Sequence, residues 1–472
     1  MLIPALLIGL VVVLLAAWAA PRLSPAVQVV LVLVVGYVLG YETWHARVGP
    51  LPLTLDRLAL LGLMGLTTFR WWHGRLRTSQ PIALDWVLGV LCGWLTVSYV
   101  LNRAPAELDL DTTPGFRLIF SFWVPIAFYA LLRTSAIDER AARHLMTGLA
   151  CLGVYLGVTA ILEVLQVWSL VFPRYIADPD LGTHFGRARG PALNSVSLGV
   201  HLSVCTAAAW LLIPRASRPM QLFWFGACVV MSLGVLLTFT RTTWLGLGGA
   251  AVVVICLQLP RPWRLAAFGS TCLAGVLFLA VGKDAIVGLQ REDSAEVSAH
   301  SAQQRLSFAY VSKQMFQDHP LWGVGYGRYY DKKLPYLNDR RQWFELESIR
   351  PLHHHNTFLS LLVETGLLGL TAFVAMLAGF GWVGWRLAHD TGVPEECNRL
   401  GLLLIGAVVN YLPSALGHDL TLIHSEQWML FAIAGAATGC WLNQAAGSPV
   451  ISRQSSEISE QVPTGRARLL PS

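Results

Sequence analysis

The sequence contains very few charged residues. Asp, Glu, Lys and Arg make up 13% of its 472 residues, about half of the share of roughly 25% that soluble domains carry. So few charges cannot cover the surface of a water-soluble protein of this size. A hydrophobic content of 54% also excludes a disordered chain. The composition therefore predicts a protein that crosses a lipid bilayer many times.

Lysine is also scarce, and the cysteines follow no metal-binding pattern. The four lysines all lie between Lys283 and Lys333, every other basic residue is arginine, and no basic stripe interleaved with aromatic residues lies outside the apolar runs. We therefore expect no nucleic-acid partner. Seven of the eight cysteines lie in apolar runs and Cys397 has no evident partner, so we expect neither a disulfide framework nor a zinc site.

Apolar runs long enough to cross the hydrocarbon core of a bilayer recur along almost the whole chain. Neither a basic n-region nor a clear A-x-A site accompanies the first run, so we interpret it as a span and not as a cleavable signal peptide. The thirteen predicted spans are residues 2–20, 26–44, 53–70, 82–101, 116–133, 145–172, 192–213, 221–240, 243–259, 264–282, 356–385, 399–417 and 427–443. The sequence thus predicts an all-α polytopic membrane protein with about 12–13 transmembrane helices and one long periplasmic loop that contains short helices.

Basic residues are unevenly distributed between the two sides of the predicted membrane. The short loops of one side hold sixteen arginines, those of the other side hold eight, and the remaining ten basic residues lie in the segment 283–355. The arginine-rich side should be cytoplasmic, which places the long loop in the periplasm. We expect four regions: an N-terminal helix bundle (1–282), this loop (283–355), C-terminal transmembrane helices (356–444) and a disordered cytoplasmic tail (445–472).

The long loop is predicted to have structure of its own. Apolar residues recur at helical spacing over 303–316, which indicates an amphipathic helix that ends before Pro320. Three glycines then alternate with other residues over 323–327. No strand precedes them, so we interpret this run as a turn that brings the tyrosines of residues 326–330 against the membrane, and not as a phosphate-binding loop.

Four features that can carry chemistry gather on the predicted outer side. Arg187 and Arg189 precede the seventh span, and Arg241 lies in a tight turn between two apolar helices, where we expect little water. Three adjacent histidines, residues 353–355, close the long loop, and Glu364 lies two turns inside the next span. Plainer interpretations stay open. The first two arginines can anchor a helix end at the headgroups, and Glu364 can be a buried carboxylate that fixes a neighbouring arginine.

The three histidines do not have the spacing of a metal site. Consecutive side chains on a helix point in different directions and zinc motifs use spaced ligands, so we expect no metal and no cofactor. His355, the nearest to the membrane, is better placed for acid–base catalysis, because imidazole titrates near neutral pH. Guanidinium groups can hold a diphosphate through paired hydrogen bonds and offset its charge as it leaves. We therefore predict the transfer of a sugar from a lipid diphosphate.

The predicted site has two sets of residues. We expect His355, Arg241 and Arg189 to be catalytic. The predicted diphosphate or substrate ligands are Arg187, Arg189, Arg241, Arg350, Asn356 and Glu364.

Five short motifs, taken in their order, resemble the O-antigen ligase and polymerase superfamily of bacterial envelopes. They are Arg189-Gly190-Pro191, Phe239-Thr240-Arg241-Thr242-Thr243-Trp244-Leu245, Asp318-His319-Pro320-Leu321-Trp322-Gly323-Val324-Gly325-Tyr326-Gly327, His355-Asn356-Thr357-Phe358-Leu359 and Glu364-Thr365-Gly366-Leu367-Leu368-Gly369. The resemblance covers roughly residues 185–385, with the long external loop between the second and the fourth motif.

The resemblance implies a metal-independent inverting glycosyltransferase in the inner membrane. Such enzymes take a glycan from undecaprenyl diphosphate at the periplasmic face. The acceptor is lipid A–core in ligases, another lipid-linked repeat unit in polymerases and a protein hydroxyl in a third branch. The family's loop arginine would correspond to Arg189, with Arg187 beside it, its hairpin arginine to Arg241 and its essential histidine to His355.

The alternative enzymes, a ligase and a polymerase, differ in the acceptor that they use. Polymerases often carry two similar Arg-x10-Gly loops, and this chain has no convincing pair, because Arg189 and Gly199 are one residue short of that spacing. We therefore favour a ligase over an exopolysaccharide or O-antigen polymerase. A transporter for lipid-linked glycans is a further alternative, but a transporter would place charge at mid-membrane and show repeated halves.

Overall fold

The computed structural model describes residues 23–48, 51–74, 76, 80–102, 113–260, 262–267, 269–270, 294–339 and 345–447. Almost all regular structure in this part of the chain is helical. The helices are α1 (Pro25–Val38), α2 (Leu55–Trp72), α3 (Ala83–Leu101), α4 (Pro114–Arg133), α5 (Glu139–Val164), α6 (Ser195–Leu212), α7 (Arg218–Leu237), α8 (Arg241–Gln258), α9 (Ser294–Asp318), α10 (Tyr329–Lys332), α11 (Thr357–His389), α12 (Glu395–Gly417) and α13 (His424–Gly447). A small antiparallel pair, β1 (His45–Val48) and β2 (Leu51–Thr54), precedes α2.

Among the described residues, eight helices are long and apolar enough to cross a membrane, namely α3 to α8, α11 and α12. The prediction of an all-α polytopic membrane protein is therefore confirmed. The predicted span 26–44 contains only the 14-residue helix α1. The predicted span 2–20, most of the span 264–282 and nearly all of the tail from 445 lie outside the described residues. The total of 12–13 transmembrane helices stays a prediction.

Local sequence signals set where several helices begin. The Ser24 hydroxyl accepts a hydrogen bond from the backbone N–H of Val27, and Pro25 occupies the first turn of α1. Asp138, Asn194 and Asn356 cap α5, α6 and α11 in the same manner with side-chain oxygens. Each of these caps satisfies an N–H group that the helix itself leaves without a partner.

Successive helices run in alternating directions, so their connections gather at two ends of the bundle. At one end, Arg143 at the start of α5 pairs with Glu396 at the start of α12. We call this the far end. At the other end, Arg117 near the start of α4 pairs with Glu364 of α11 and with Asp419 after α12. We call this the site end, because the loop arginines and histidines lie here.

One expectation about cysteine is wrong. Cys397 does have a partner: it forms a disulfide with Cys440, 43 residues further along the chain. Helices α12 and α13 are antiparallel neighbours, so the start of the first meets the end of the second at the far end of the bundle. Two cysteines so far apart in the sequence show no local pattern that would predict this contact.

The amphipathic helix expected over 303–316 is confirmed within α9. Phe308, Val311 and Met315 form its buried face, and they pack in one cluster with Tyr329 and with Val363 of α11. The long loop is therefore attached to the helix bundle through its own small apolar core.

Candidate active site

Helix α11 is interrupted at Gly366, and the glycine run of the long loop fills the interruption. Gly366 has φ +68° and ψ −168°, outside the helical region. The backbone N–H groups of Val324 and Gly325 donate to the carbonyl oxygens of Val363 and Glu364, each at 2.9 Å. The loop thereby supplies partners for carbonyl groups that the broken helix cannot satisfy itself, which a bilayer requires.

Two glycines make this close contact possible. A Cβ atom on Gly366 would lie 2.1 Å from the carbonyl oxygen of Leu321, and one on Gly323 would lie 2.4 Å from the carbonyl carbon of Glu364. The run is therefore a backbone packing element. Of the tyrosines that we expected against the membrane, Tyr326 and Tyr329 are buried and Tyr330 is 36% exposed.

A buried charge cluster lies beside this contact, and sequence reasoning missed its central residue. Arg117 Nη1 donates to Glu364 Oε2 at 2.8 Å, and Arg117 Nη2 donates to Asp419 Oδ2 at 3.2 Å. All three side chains are less than 10% exposed. Glu364, predicted as a substrate ligand, thus has a protein partner, in agreement with the plainer interpretation of this residue. The available signal was a lone arginine three residues after Pro114 at the start of an apolar run.

The three adjacent histidines have different surroundings. His354 is 3% exposed, its Nε2 lies 2.8 Å from the Ser312 hydroxyl, and burial lowers its pKa to about 3. His353 lies against the ring of Tyr330. His355 is exposed, and its Nδ1 lies 2.9 Å from the carbonyl oxygen of His353. A carbonyl only accepts, so Nδ1 of His355 carries the hydrogen and Nε2 keeps its lone pair. This is the tautomer that a general base at Nε2 requires.

Two more histidines surround His355. Partial desolvation lowers the pKa of His355, and the hydrogen bond to His353 and the charge of Asp419 oppose this effect. Burial lowers the pKa of His418 to about 3, and the charges of His355 and His184 add to the shift. The pKa of His184 is lowered by desolvation and then by Arg187 and His355. These imidazoles are therefore neutral at pH 7, and they lie close to one another at the site end.

Arg241 also lies at the site end, next to the end of α12. Arg241 is the first residue of α8, and the next residue, Thr242, packs against Gly417 so closely that a Cβ there would lie 2.6 Å from its side chain. The Asn356 amide donates to the carbonyl of Leu416 at 2.9 Å. Arg241 begins α8 at the hairpin, and it is exposed. Our expectation of little water around it stays a prediction.

The two loop arginines differ sharply in exposure. Arg189 is 0% exposed; its guanidinium lies 3.5 Å from the Glu163 carboxylate and donates to the carbonyl oxygens of Ile176, Asp178 and Leu181. The structure therefore places Arg189 as a support of its loop. Arg187, two residues earlier, is exposed. A hydrogen bond from the N–H of Ala188 to the carbonyl of Leu237 holds this loop against the end of α7, next to Arg241.

Two further basic side chains, Arg305 and Arg350, differ in their relation to the site. Arg305 of α9, which sequence reasoning missed, is exposed, and its charge lowers the pKa of both His355 and His418. Its only signal was its position on the amphipathic helix. Arg350, predicted as a ligand, lies on an exposed turn and binds the Glu347 carboxylate at 2.7 Å.

An apolar groove of about 730 Å³ descends between α6, α7 and α8. Leu236 and Trp244 line its upper part, close to the hairpin, and Trp210 and Ile255 line its lower part. Trp244 lies one turn below Arg241 on α8. The groove thus runs along the apolar parts of these three helices from a point next to the hairpin.

Two comparisons with known proteins show what this chain is similar to. A family model described as O-antigen ligase matches residues 226–374, which include Arg241, Arg305, His355 and Glu364. The exopolysaccharide production protein ExoQ of Rhizobium meliloti (strain 1021) is 28% identical over 306 residues, 60% of this chain and 65% of that protein. The match thus spans just under two thirds of the relative. These findings confirm the resemblance of this multi-pass membrane protein to the O-antigen ligase superfamily, and the family model places that similarity over residues 226–374.

Proposed function

We propose that this chain is an O-antigen ligase-like inverting glycosyltransferase of the inner membrane. It moves a glycan from undecaprenyl diphosphate to a hydroxyl of lipid A–core at the periplasmic face, in the biosynthesis of lipopolysaccharide or another surface polysaccharide. The observation that carries the proposal is His355, whose Nδ1 is fixed by the His353 carbonyl, at the same end of the bundle as the exposed side chains of Arg187, Arg241 and Arg305.

The reaction needs one displacement. The acceptor hydroxyl attacks the anomeric carbon of the donor sugar and gives its proton to Nε2 of His355. A bond forms between the acceptor oxygen and that carbon as the bond to the diphosphate oxygen breaks, so the configuration inverts. The diphosphate leaves on its lipid, and the guanidinium groups of Arg187, Arg241 and Arg305 offset its charge. The lipid tail has a place in the groove below Arg241.

This proposal revises the predicted ligand set. Arg189 and Arg350 are bound to protein groups, so Arg305 takes their place beside Arg187 and Arg241. Arginine charge can do the work of a divalent cation at the diphosphate, and we therefore expect transfer to continue in the presence of a chelator. Restoration of lost activity by magnesium or manganese would contradict this expectation.

The test is transfer by the purified protein from a lipid-diphosphate donor, with donor binding measured separately. His355→Ala should bind the donor nearly as well as the wild type but lose about 10²–10⁴-fold in turnover. His353→Ala is the matched control and should be milder, because its ring faces Tyr330. If His355→Ala lost donor binding and kept its turnover at saturating donor, the histidine would be a phosphate ligand.

A second candidate function differs only in the acceptor. The name of the relative from Rhizobium meliloti refers to exopolysaccharide production, which favours a polymerase that uses a second lipid-linked repeat unit as acceptor. The same preparation distinguishes the two. A ladder of lengthened lipid-linked chains indicates a polymerase, whereas transfer only to lipid A–core indicates a ligase.

The orientation in the membrane is part of the proposal. The excess of arginine in the loops at the far end supports a cytoplasmic position for that end. Reporter fusions at Asp331 and Ser217 should report the periplasm and the cytoplasm, respectively. A cytoplasmic signal at Asp331 would rule out the mechanism, because a periplasmic acceptor could not reach His355.

A further inference from the structure

Arg117 makes more contacts than a helix anchor needs. Besides Glu364 and Asp419, its Nε donates to the Thr421 hydroxyl at 2.8 Å, and its Nη2 donates to the Ser360 hydroxyl at 3.2 Å. The guanidinium also lies 5.0 Å from the centre of the Tyr326 ring. One side chain therefore joins four segments: the start of α4, the first turns of α11, the connection between α12 and α13, and the glycine run.

Two of these segments carry the histidines of the proposed site. His355 lies two residues before α11, and His418 lies directly before Asp419. The Thr357 hydroxyl donates to the carbonyl of His418 at 3.0 Å and accepts from the N–H of Leu420 at 2.9 Å. The histidine-bearing turn and the Asp419 segment are thus held to each other, and both are held to Arg117.

The cluster also carries an uneven charge. One guanidinium faces the carboxyl groups of Glu364 and Asp419, all of them buried. With both carboxyl groups ionised, one negative charge is left over, and a buried unbalanced charge is unfavourable unless a positive group lies near it. Among the groups of the cluster, Asp419 is the one whose charge acts on His355. This charge raises the pKa of His355, whereas partial desolvation lowers it. A proton on His355 would supply the missing positive charge.

Other groups around His355 act in the opposite direction. From α9, Arg305 lowers its pKa, and from the segment after α10, Lys333 does the same. His184 and His418 are also close, as is His353 on its own segment. The carboxylates of the cluster thus oppose the effect of several cationic or titratable neighbours. The position of these carboxylates decides how stable the protonated ring of His355 is.

We propose that Arg117 is a positioning residue for His355. Together with Glu364 it fixes Asp419 close to the histidine, where the negative charge that the cluster has in excess stabilises the imidazolium that forms as the acceptor loses its proton. The inference rests on the proposed role of His355 as the base. It assigns no contact with substrate to Arg117, whose guanidinium is enclosed by protein groups.

The experiment measures the apparent pKa of His355 in two ways in the full-length protein. One is the pH dependence of transfer at saturating donor. The other is the pH dependence of carbethoxylation of His355 by diethyl pyrocarbonate, followed by mass spectrometry, which needs no activity. Asp419→Asn should lower the pKa by about one unit, because it removes the negative charge that acts on His355, and Glu364→Gln should lower it by less.

Arg117→Lys tests the positioning directly. Lysine keeps the charge but cannot hold several partners at once in a planar fork. We expect the turnover number to fall about tenfold or more, as misplacement of a reacting group does, with the KM for the donor changed less than twofold. A large rise in donor KM at unchanged turnover would overturn the inference.

A matched control is available at the far end. Arg399 and Glu396 form another buried pair, 3.5 Å apart, at the opposite end of α12. Arg399→Lys and Glu396→Gln should lower thermal stability without a shift in the pKa of His355. If Glu364→Gln and Asp419→Asn behaved like these controls, the inference would be wrong. If the wild-type protein transferred no glycan, or its rate did not depend on His355, the proposed function would be wrong instead. Carbethoxylation would still show whether the cluster raises the pKa of His355.

Discussion

The contact between the glycine run and the broken helix α11 predicts a large effect of one methyl group. In Gly366→Ala, the new Cβ would lie 2.1 Å from the carbonyl oxygen of Leu321, so the loop has to move away. The backbone at φ +68° and ψ −168° is also a conformation that only glycine adopts readily, at a cost of about 1–3 kcal/mol for other residues.

The displaced loop would lose hydrogen bonds as well. Three backbone bonds join it to α11: Val324 N–H to Val363, Gly325 N–H to Glu364 and Leu367 N–H to Pro320, at 2.9, 2.9 and 3.0 Å. At about 1 kcal/mol each, their loss brings the total to about 4–6 kcal/mol, a large part of the stability of a typical protein.

The assay is thermal unfolding of the purified protein in detergent, followed by tryptophan fluorescence and by size-exclusion chromatography. Gly381→Ala is the matched control, because Gly381 lies in the same helix and a Cβ there would meet nothing within 4 Å. We expect the control to be unchanged or stabilised by about 0.5–1 kcal/mol, and Gly366→Ala to unfold at a clearly lower temperature. Equal midpoints for the two variants would refute the described contact.

Three further predictions concern the histidines and the buried arginine pair. Transfer should increase with pH through a midpoint below about 6.5 and then level off, because desolvation lowers the pKa of His355 and only the neutral ring can act as a base; a midpoint above that value in the pH profile would contradict the assignment. His354 is neutral in the folded state with a pKa of about 3, so below about pH 6.5 the unfolded state binds the extra proton, and His354 alone should lower the stability by about 2 kcal/mol between pH 8 and pH 5. Unfolding midpoints across this range check the loss, and His354→Gln should make their slope shallower. Arg189→Ala leaves Glu163 buried without its charged partner and should destabilise the protein by about 3–5 kcal/mol. The donor affinity of the folded fraction should be unchanged, and weaker donor binding at full stability would indicate that Arg189 is a donor ligand.

The membrane-spanning helices could be predicted from the sequence because a span requires only a sufficiently long apolar run. The same applies to α9, where the buried Phe308, Val311 and Met315 follow the helical period. Both signals are local. The short helix α1 and the β1–β2 pair show the limit of this reasoning, because an apolar run of span length does not have to form one continuous helix.

The buried charge cluster could not be predicted in this manner. Arg117 lies 247 residues from Glu364 and 302 residues from Asp419, and no local pattern joins residues so far apart. At its place in the sequence, an arginine at the start of an apolar run is typical of a headgroup anchor. The glycine run poses the same difficulty, since its glycines are visible but the broken helix that they contact is not.

The difference between the arginines of the site end follows from solvation. A guanidinium removed from water must have its donors satisfied by the protein. Arg117 meets this condition with carboxylates and hydroxyls, and the Nη1 and Nη2 groups of Arg189 donate to backbone carbonyl groups while its Nε faces Glu163. Such side chains cannot leave their partners for a diphosphate without a large loss of free energy. In the function that we propose, Arg241 and Arg305, which are exposed, would exchange water for phosphate oxygens when a donor arrives and take water back when the product leaves. The buried arginines would then fix the shape of the site, whereas the exposed ones would supply the charge that acts on the substrate.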